Sequence, residues 1–181
     1  MRDAPAADDV ASGVVALAAS GDVRALEQIV ARYHADMTRV CVVICAGDAD
    51  LAEDAVQSAW PIVWRKLGTL RDPGHLRSWL LTVAANEARQ LLRQRRRGAV
   101  VEIDVADVGS SHGDPSDAIR SVDLRAAVRR LDPQDRLLLA LRYVAGFDSS
   151  ELGRAMGLSP SGVRSRLERL IARLRTELDD D

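Results

Sequence analysis

Arg89, Arg93, Arg95, Arg96 and Arg97 follow Trp79 and Asn86 in one stretch, and residues of these types at this density suit opened nucleic acid. Guanidinium groups contact phosphates or stack on bases, and amides read unpaired base edges. Near the other end, Ser161, Arg164, Ser165, Arg166 and Arg169 take outward positions of an amphipathic segment. Arginine there can read guanine edges in a major groove or hold phosphates. Glu53, Asp54 and Gln57 form an acidic-polar ridge ahead of the first arginine set. All three sets suit binding rather than covalent chemistry. The sequence offers no Ser-His-Asp or Cys-His set, no phosphate-cradling glycine loop and no metal-ligand spacing, and His34, His75 and His112 are isolated. Cys41 and Cys45 share a helix face among Val42, Val43 and Ile44. His34 precedes them, but a fourth ligand is missing, so they read as core thiols rather than a metal site.

Charge is segregated in a way that the net value of −2 conceals. Residues 1–64 carry 4 Arg and Lys against 10 Asp and Glu; residues 65–97 carry 9 against 2; residues 120–178 carry 12 against 7. An acidic front and two basic blocks suggest one protein-facing and two nucleic-acid-facing surfaces. The 181 residues suffice for one ordinary domain or two small ones. Aromatics are only 3% of the chain, so its cores must be aliphatic. Two cysteines make no disulfide framework, and no apolar run has the length of a membrane span. Neither a signal peptide nor membrane insertion is expected, and the compartment expected is the cytoplasm.

The elements that must position these residues are helices. Residues 1–9 are expected to be disordered, and a short helix follows from Val10 to Ala19. Asp22 is placed to cap a helix running to about Cys45, whose apolar residues Ile29, Met37, Val40 and Ile44 keep helical spacing. A third helix from near Asp50 buries Leu51, Ala55, Val56, Ala59, Ile62 and Val63, and Pro61 predicts a kink near Gln57–Trp60. After the Asp72-Pro73-Gly74 turn, a fourth helix spans about His75 to Arg97. Trp79 on it has two readings, a core anchor or a base-stacking platform. Residues 98–117 lose helical periodicity and read as a flexible linker between two domains, although Val100 to Val105 could form a strand. Asp117 then caps a helix to about Leu131, and Asp132-Pro133 opens another that Gly146 ends. A short helix runs from Ser149 and Ser150 through Met156, and Ser159-Pro160 starts a last one to about Leu178. Helix, glycine turn and arginine-rich helix make a helix-turn-helix, with Gly153 at a close crossing and Val163 packed inward. The fold class is therefore all-α, two small helical domains joined by a linker.

Three motifs in this order carry a family likeness. Asp50-LAEDAVQ-Gln57 resembles the core-polymerase-binding helix of the extracytoplasmic-function (ECF) group of bacterial sigma factors. Ser78-WLLTVAAN-Asn86 resembles its promoter-melting helix, and Arg142 to Leu167 resembles its second DNA-reading domain. The likeness covers about 10–97 and 118–176, and implies a region 2-like domain of four helices over 10–97 and a region 4-like domain over 118–178. It implies that Glu53, Asp54, Gln57 and Trp60 contact core RNA polymerase at its clamp coiled coil, with the flap as a further polymerase contact. It implies that Arg71, His75, Arg77, Trp79, Asn86, Arg89 and Arg93 hold −10 promoter DNA, and that Ser161, Arg164, Ser165, Arg166 and Arg169 hold −35 DNA. It further implies an anti-sigma protein as a regulatory partner, no catalysis and no cofactor. Ser58 stands where the family usually has an acid, Pro61 interrupts a usually continuous helix, and Leu70–Ser78 lacks an aromatic. The alternative reading is a helix-turn-helix regulator acting without polymerase; a small enzyme is the weakest fit.

Overall fold

The computed structural model describes residues 6–98 and 115–179, with side chains placed for 13–97 and 123–179. Its elements are α1 (Ala6–Ala19), α2 (Val23–Ile44), α3 (Ala49–Lys66), α4 (Leu76–Gly98), α5 (Pro115–Arg130), α6 (Pro133–Leu139), α7 (Ser149–Met156) and α8 (Pro160–Asp179). Two single 3-10 turns, Leu67–Thr69 and Pro73–His75, join α3 to α4, and Ala140–Val144 continues α6 as a π-turn. No strand occurs among the described residues.

The caps account for most of the boundaries. Asp22, Asp48, Asp132 and Asp148 each accept from backbone N–H groups of the helix that follows, at α2, α3, α6 and α7. Asp148 also forms a reciprocal capping box with Glu151. Three expected boundaries need correction. Helix α1 begins at Ala6, ahead of the expected Val10, because Ala6 and Ala7 favour helix. Helix α5 starts at Pro115, because proline is well tolerated in a first turn, so Asp117 lies inside the helix rather than capping it. The expected linker of 98–117 overlaps α4 at Gly98 and α5 at 115–117, and the rest of it, with the Val100–Val105 strand and His112, lies outside the described residues. Helix α3 runs through Pro61 as one element; the carbonyl that loses its partner belongs to exposed Gln57, where water can satisfy it.

Helices α2, α3 and α4 pack mutually, and α1 closes one end against α2. Met37, Val40, Cys41, Ile44, Ala52, Ala55, Val56, Ala59, Val63, Leu80, Leu81, Ala84 and Ala88 are essentially inaccessible to solvent. The alanines of α3 and α4 let these helices approach closely. Burial pushes both thiols up, that of Cys45 to about 12, so they are inert core groups. In the second domain α7 crosses α8 at Gly153. A Cβ at Gly153 would stand 2.7 Å from the Leu158 carbonyl oxygen, a backbone atom with little room to yield. Gly153→Ala should therefore cost about 1–3 kcal/mol, read by urea unfolding.

The two domains are packed together. Helix α2 meets α6 and the π-turn, and the buried Arg136 crosses from α6 to donate from Nε to the Ile44 carbonyl at 2.8 Å. The same guanidinium donates from Nη1 to Leu131 O at 2.5 Å and Arg129 O at 3.2 Å, so it closes the C-terminal ends of α2 and α5 together. Burial, and then the charge of Arg96, lower its pKa from the usual arginine range.

Candidate nucleic-acid and polymerase interfaces

The expected polymerase ridge forms one face of α3. Asp54 and Gln57 are exposed, and Glu53 and Trp60 are half-buried beside α2. Trp60 Nε1 donates to His34 Nδ1 at 3.2 Å, with the two rings within 10° of coplanar. His34 Nε2 stands 3.4 Å from Glu53 Oε1, which also accepts from Gln57 Nε2 at 3.4 Å. A residue of α2 thus orders three of the four ridge residues, a link across 26 positions that helix periodicity does not reveal. Trp64, 47% exposed, continues the ridge one turn beyond Trp60. Sequence reasoning passed over it, although its spacing of four from Trp60 and seven from Gln57 was the available signal.

The residues expected at −10 DNA gather at the start and the outer face of α4, and several are occupied. His75 Nδ1 is 2.8 Å from Asp72 Oδ2, and Asp72 also accepts from Gly74 N, so the turn before α4 is pinned. These bonds, that from Gly74 before that from His75, hold the Asp72 carboxyl below the usual range. Arg77 donates from Nε to Asp36 Oδ2 at 3.1 Å and from Nη1 to the Ala145 carbonyl at 2.6 Å, across the domain boundary. Trp79 is half-buried and packs on the core, which favours the anchor reading, while one side lines a cavity of about 240 Å3. His75 and Ser78 line that cavity from α4's side; Phe147, Glu151 and Arg154 close it from α7's side. Arg71 and Asn86 are exposed. Arg89 and Arg93 lie with Arg96 along a narrow cleft against Pro133 and Gln134. Burial, and then the adjacent Arg93 charge, lower the Arg89 pKa. Arg95 is drawn back to Asp48 at 2.6 Å, tying α4 to the cap of α3.

Within the helix-turn-helix, Ser161, Arg164, Ser165 and Arg169 are exposed on α8 as expected. Arg166 is the exception and corrects the outward assignment. Its Nε and Nη2 donate to Asp135 Oδ1 at 2.9 and 2.8 Å, and Arg173 Nη2 donates to Asp135 Oδ2 at 2.7 Å. Arg166 follows Val163 by three residues, roughly 60° around the helix, and so borders the core rather than opposing it. Asp135 is only 6% exposed. Burial alone would raise its pKa; the Arg166 and Arg173 hydrogen bonds outweigh that and hold the carboxyl below the usual range. Among the described residues no group of three metal-ligating side chains is found.

Two family models match the chain, Sigma-70 region 2 over residues 29–98 and Sigma-70, region 4 over residues 121–174. The chain is 32% identical to RNA polymerase sigma factor CarQ of Myxococcus xanthus over 158 residues, covering 86% of this chain and 90% of that protein. It belongs to the sigma-70 family, in its extracytoplasmic-function group. ECF RNA polymerase sigma factor BldN of Streptomyces coelicolor is 27% identical, with 98% of this chain and 70% of that protein covered. The chain is 31% identical to probable RNA polymerase sigma factor RfaY of Xanthomonas campestris, covering 89% of this chain and 42% of that protein. In structure it is similar to CnrH in its complex with the cytosolic domain of CnrY, with TM-score 0.68, 27% identity, and 97% and 99% of the two chains covered. This sigma factor is a transcription initiation factor of two helical domains, region 2 and region 4. No helix among the described residues is long and apolar enough to cross a membrane.

Proposed function

We propose that this chain docks on core RNA polymerase through the outer face of α3, and then directs it to −35 elements with α8 and to −10 elements with α4. The carrying observation is that Asp54, Gln57, Pro61 and Trp64 stay exposed along one face of α3 while the second domain lies over the start of α4. Polymerase can therefore be engaged before the DNA surfaces are free. Arg77 must leave Ala145 and Trp79 must leave α7 for −10 DNA to enter, since a cavity of about 240 Å3 admits no duplex. Once Asn86, Arg89 and Arg93 are clear, stacking worth roughly 1–3 kcal/mol per captured base offsets the cost of opening the duplex. Residues 10–97 serve as the polymerase and −10 unit and residues 118–178 as the −35 unit.

The factor supplies binding free energy only, and the bond-forming chemistry is the polymerase's. It acts in the cytoplasm, where the polymerase is. A separate anti-sigma protein is its regulatory partner, by analogy with the CnrH–CnrY complex. A regulator working without polymerase would have no use for the α3 ridge.

Size-exclusion co-elution with bacterial core polymerase tests the reading, followed by transcription from selected promoter fragments. The double variant Asp54→Ala, Gln57→Ala should weaken polymerase binding about tenfold, as expected for two polar contacts at an interface centre. Unchanged affinity would move the docking surface away from α3. Tight duplex binding by the free protein would favour the polymerase-independent regulator.

A further inference from the structure

Within the first three turns of α8 the outward face holds one acid, Glu168, among its arginines and serines. An α-helix turns about 100° per residue, and the buried residues Val163, Leu170 and Leu174 mark the core side. Glu168 lies roughly 140° from Val163 and roughly 160° from Leu170, at the middle of the opposite face, and is exposed. Ser165 precedes it by one turn and Ser161 by two, while Arg164 and Arg169 flank it. Asp135 has withdrawn Arg166 toward the core, so this guanidinium is not available to neutralise the acid. Among the described residues the Glu168 carboxylate accepts no hydrogen bond and joins no ion pair.

A solvated carboxylate is ordinary on a surface helix. On a helix that enters a groove walled by phosphates it is repelled, unless it reaches a group that donates. In the major groove the donors are the amino groups of cytosine and adenine, and a lone acceptor side chain pairs best with cytosine N4. Guanine and thymine offer only acceptors at the corresponding edge, so they are penalised as well as left unrewarded.

We propose that Glu168 is a specificity-determining residue of the −35 interface, accepting a hydrogen bond from the exocyclic amino group of one cytosine. The proposal rests on the reading of α8 as the −35 helix. Arg164 and Arg169 then hold the flanking phosphates or guanine edges that carry the acid into the groove.

The test is selection by reconstituted holoenzyme from a promoter library randomised across the −35 element, with the full chain as wild type, Glu168→Ala, Glu168→Gln and Arg164→Ala. Wild type should prefer cytosine at one position. Glu168→Ala should lose that preference about tenfold, keep the others, and bind unrelated duplex more tightly. Glu168→Gln should move the same position toward adenine, whose edge pairs with an amide. Unaltered preference at every position in both Glu168 variants, with Arg164→Ala altering one, overturns the role of Glu168 alone. No change in any of the three variants overturns the reading of α8 as well. Melting temperatures matching wild type exclude misfolding as the cause of any shift.

Discussion

Arg136→Ala should lower the unfolding free energy by about 3–5 kcal/mol, measured by urea denaturation. The side chain is 5% exposed and donates three hydrogen bonds to main-chain carbonyls, at Ile44, Leu131 and Arg129. Truncation leaves these acceptors without that donor, where water has little access, and each orphaned group costs about 1–3 kcal/mol. It also removes a positive charge from the negative ends of α2 and α5. Arg136→Lys should recover only part of the loss, because one ammonium cannot span acceptors on two helices as a planar fork does. The Ile44 bond crosses the domain boundary, so the alanine variant should also show a larger radius of gyration by small-angle scattering. An unchanged radius would mean that apolar packing of α2 on α6 holds the domains together unaided.

Asp135→Ala should cost about 2–3 kcal/mol, somewhat below the loss on breaking a fully buried pair because Arg173 is half exposed. The comparison with Asp135→Asn gives a pH signature. The folded carboxyl has a pKa below its unfolded value. Its stabilisation is therefore fully present above about pH 4 and is lost as pH falls through the lowered folded value. The stability gap between wild type and Asp135→Asn should be widest near neutrality and narrow steadily in acid. A gap independent of pH would mean that the pair acts by packing alone. Promoter choice at −35 should weaken in the same variants, since Arg166 and Arg173 would no longer fix the roll of α8 against α6.

The two clusters divide the arginines of this protein into those that hold it together and those left for DNA. Arg77, Arg95, Arg136 and Arg166 are bonded to carboxylates or carbonyls of another element. Arg71, Arg164 and Arg169 are exposed, on the faces proposed for promoter contact. Under the proposed −10 role Arg77 would belong to both groups in turn, and its bond to Ala145 would link domain docking to −10 access.

Sequence alone determined the helical class, the two-domain order, the cap at Asp22, the helix start at Asp132-Pro133, the close crossing at Gly153 and the inward Val163. These are local matters. A cap needs a carboxylate beside free N–H groups, a crossing needs a missing Cβ, and a buried stripe needs only its period. The family likeness was equally legible, because its motifs are contiguous. The tertiary structure alone decided which charged groups meet. His34 reaches Trp60 over 26 positions, Asp135 reaches Arg166 over 31, and Arg136 reaches Ile44 over 92. A helical wheel says which residues face away from their own core, but not whether another element stands there. Arg166 at the core border, Arg77 against Ala145 and Glu168 on the open face could be told apart only once the packing of the second domain had placed, or withheld, a partner.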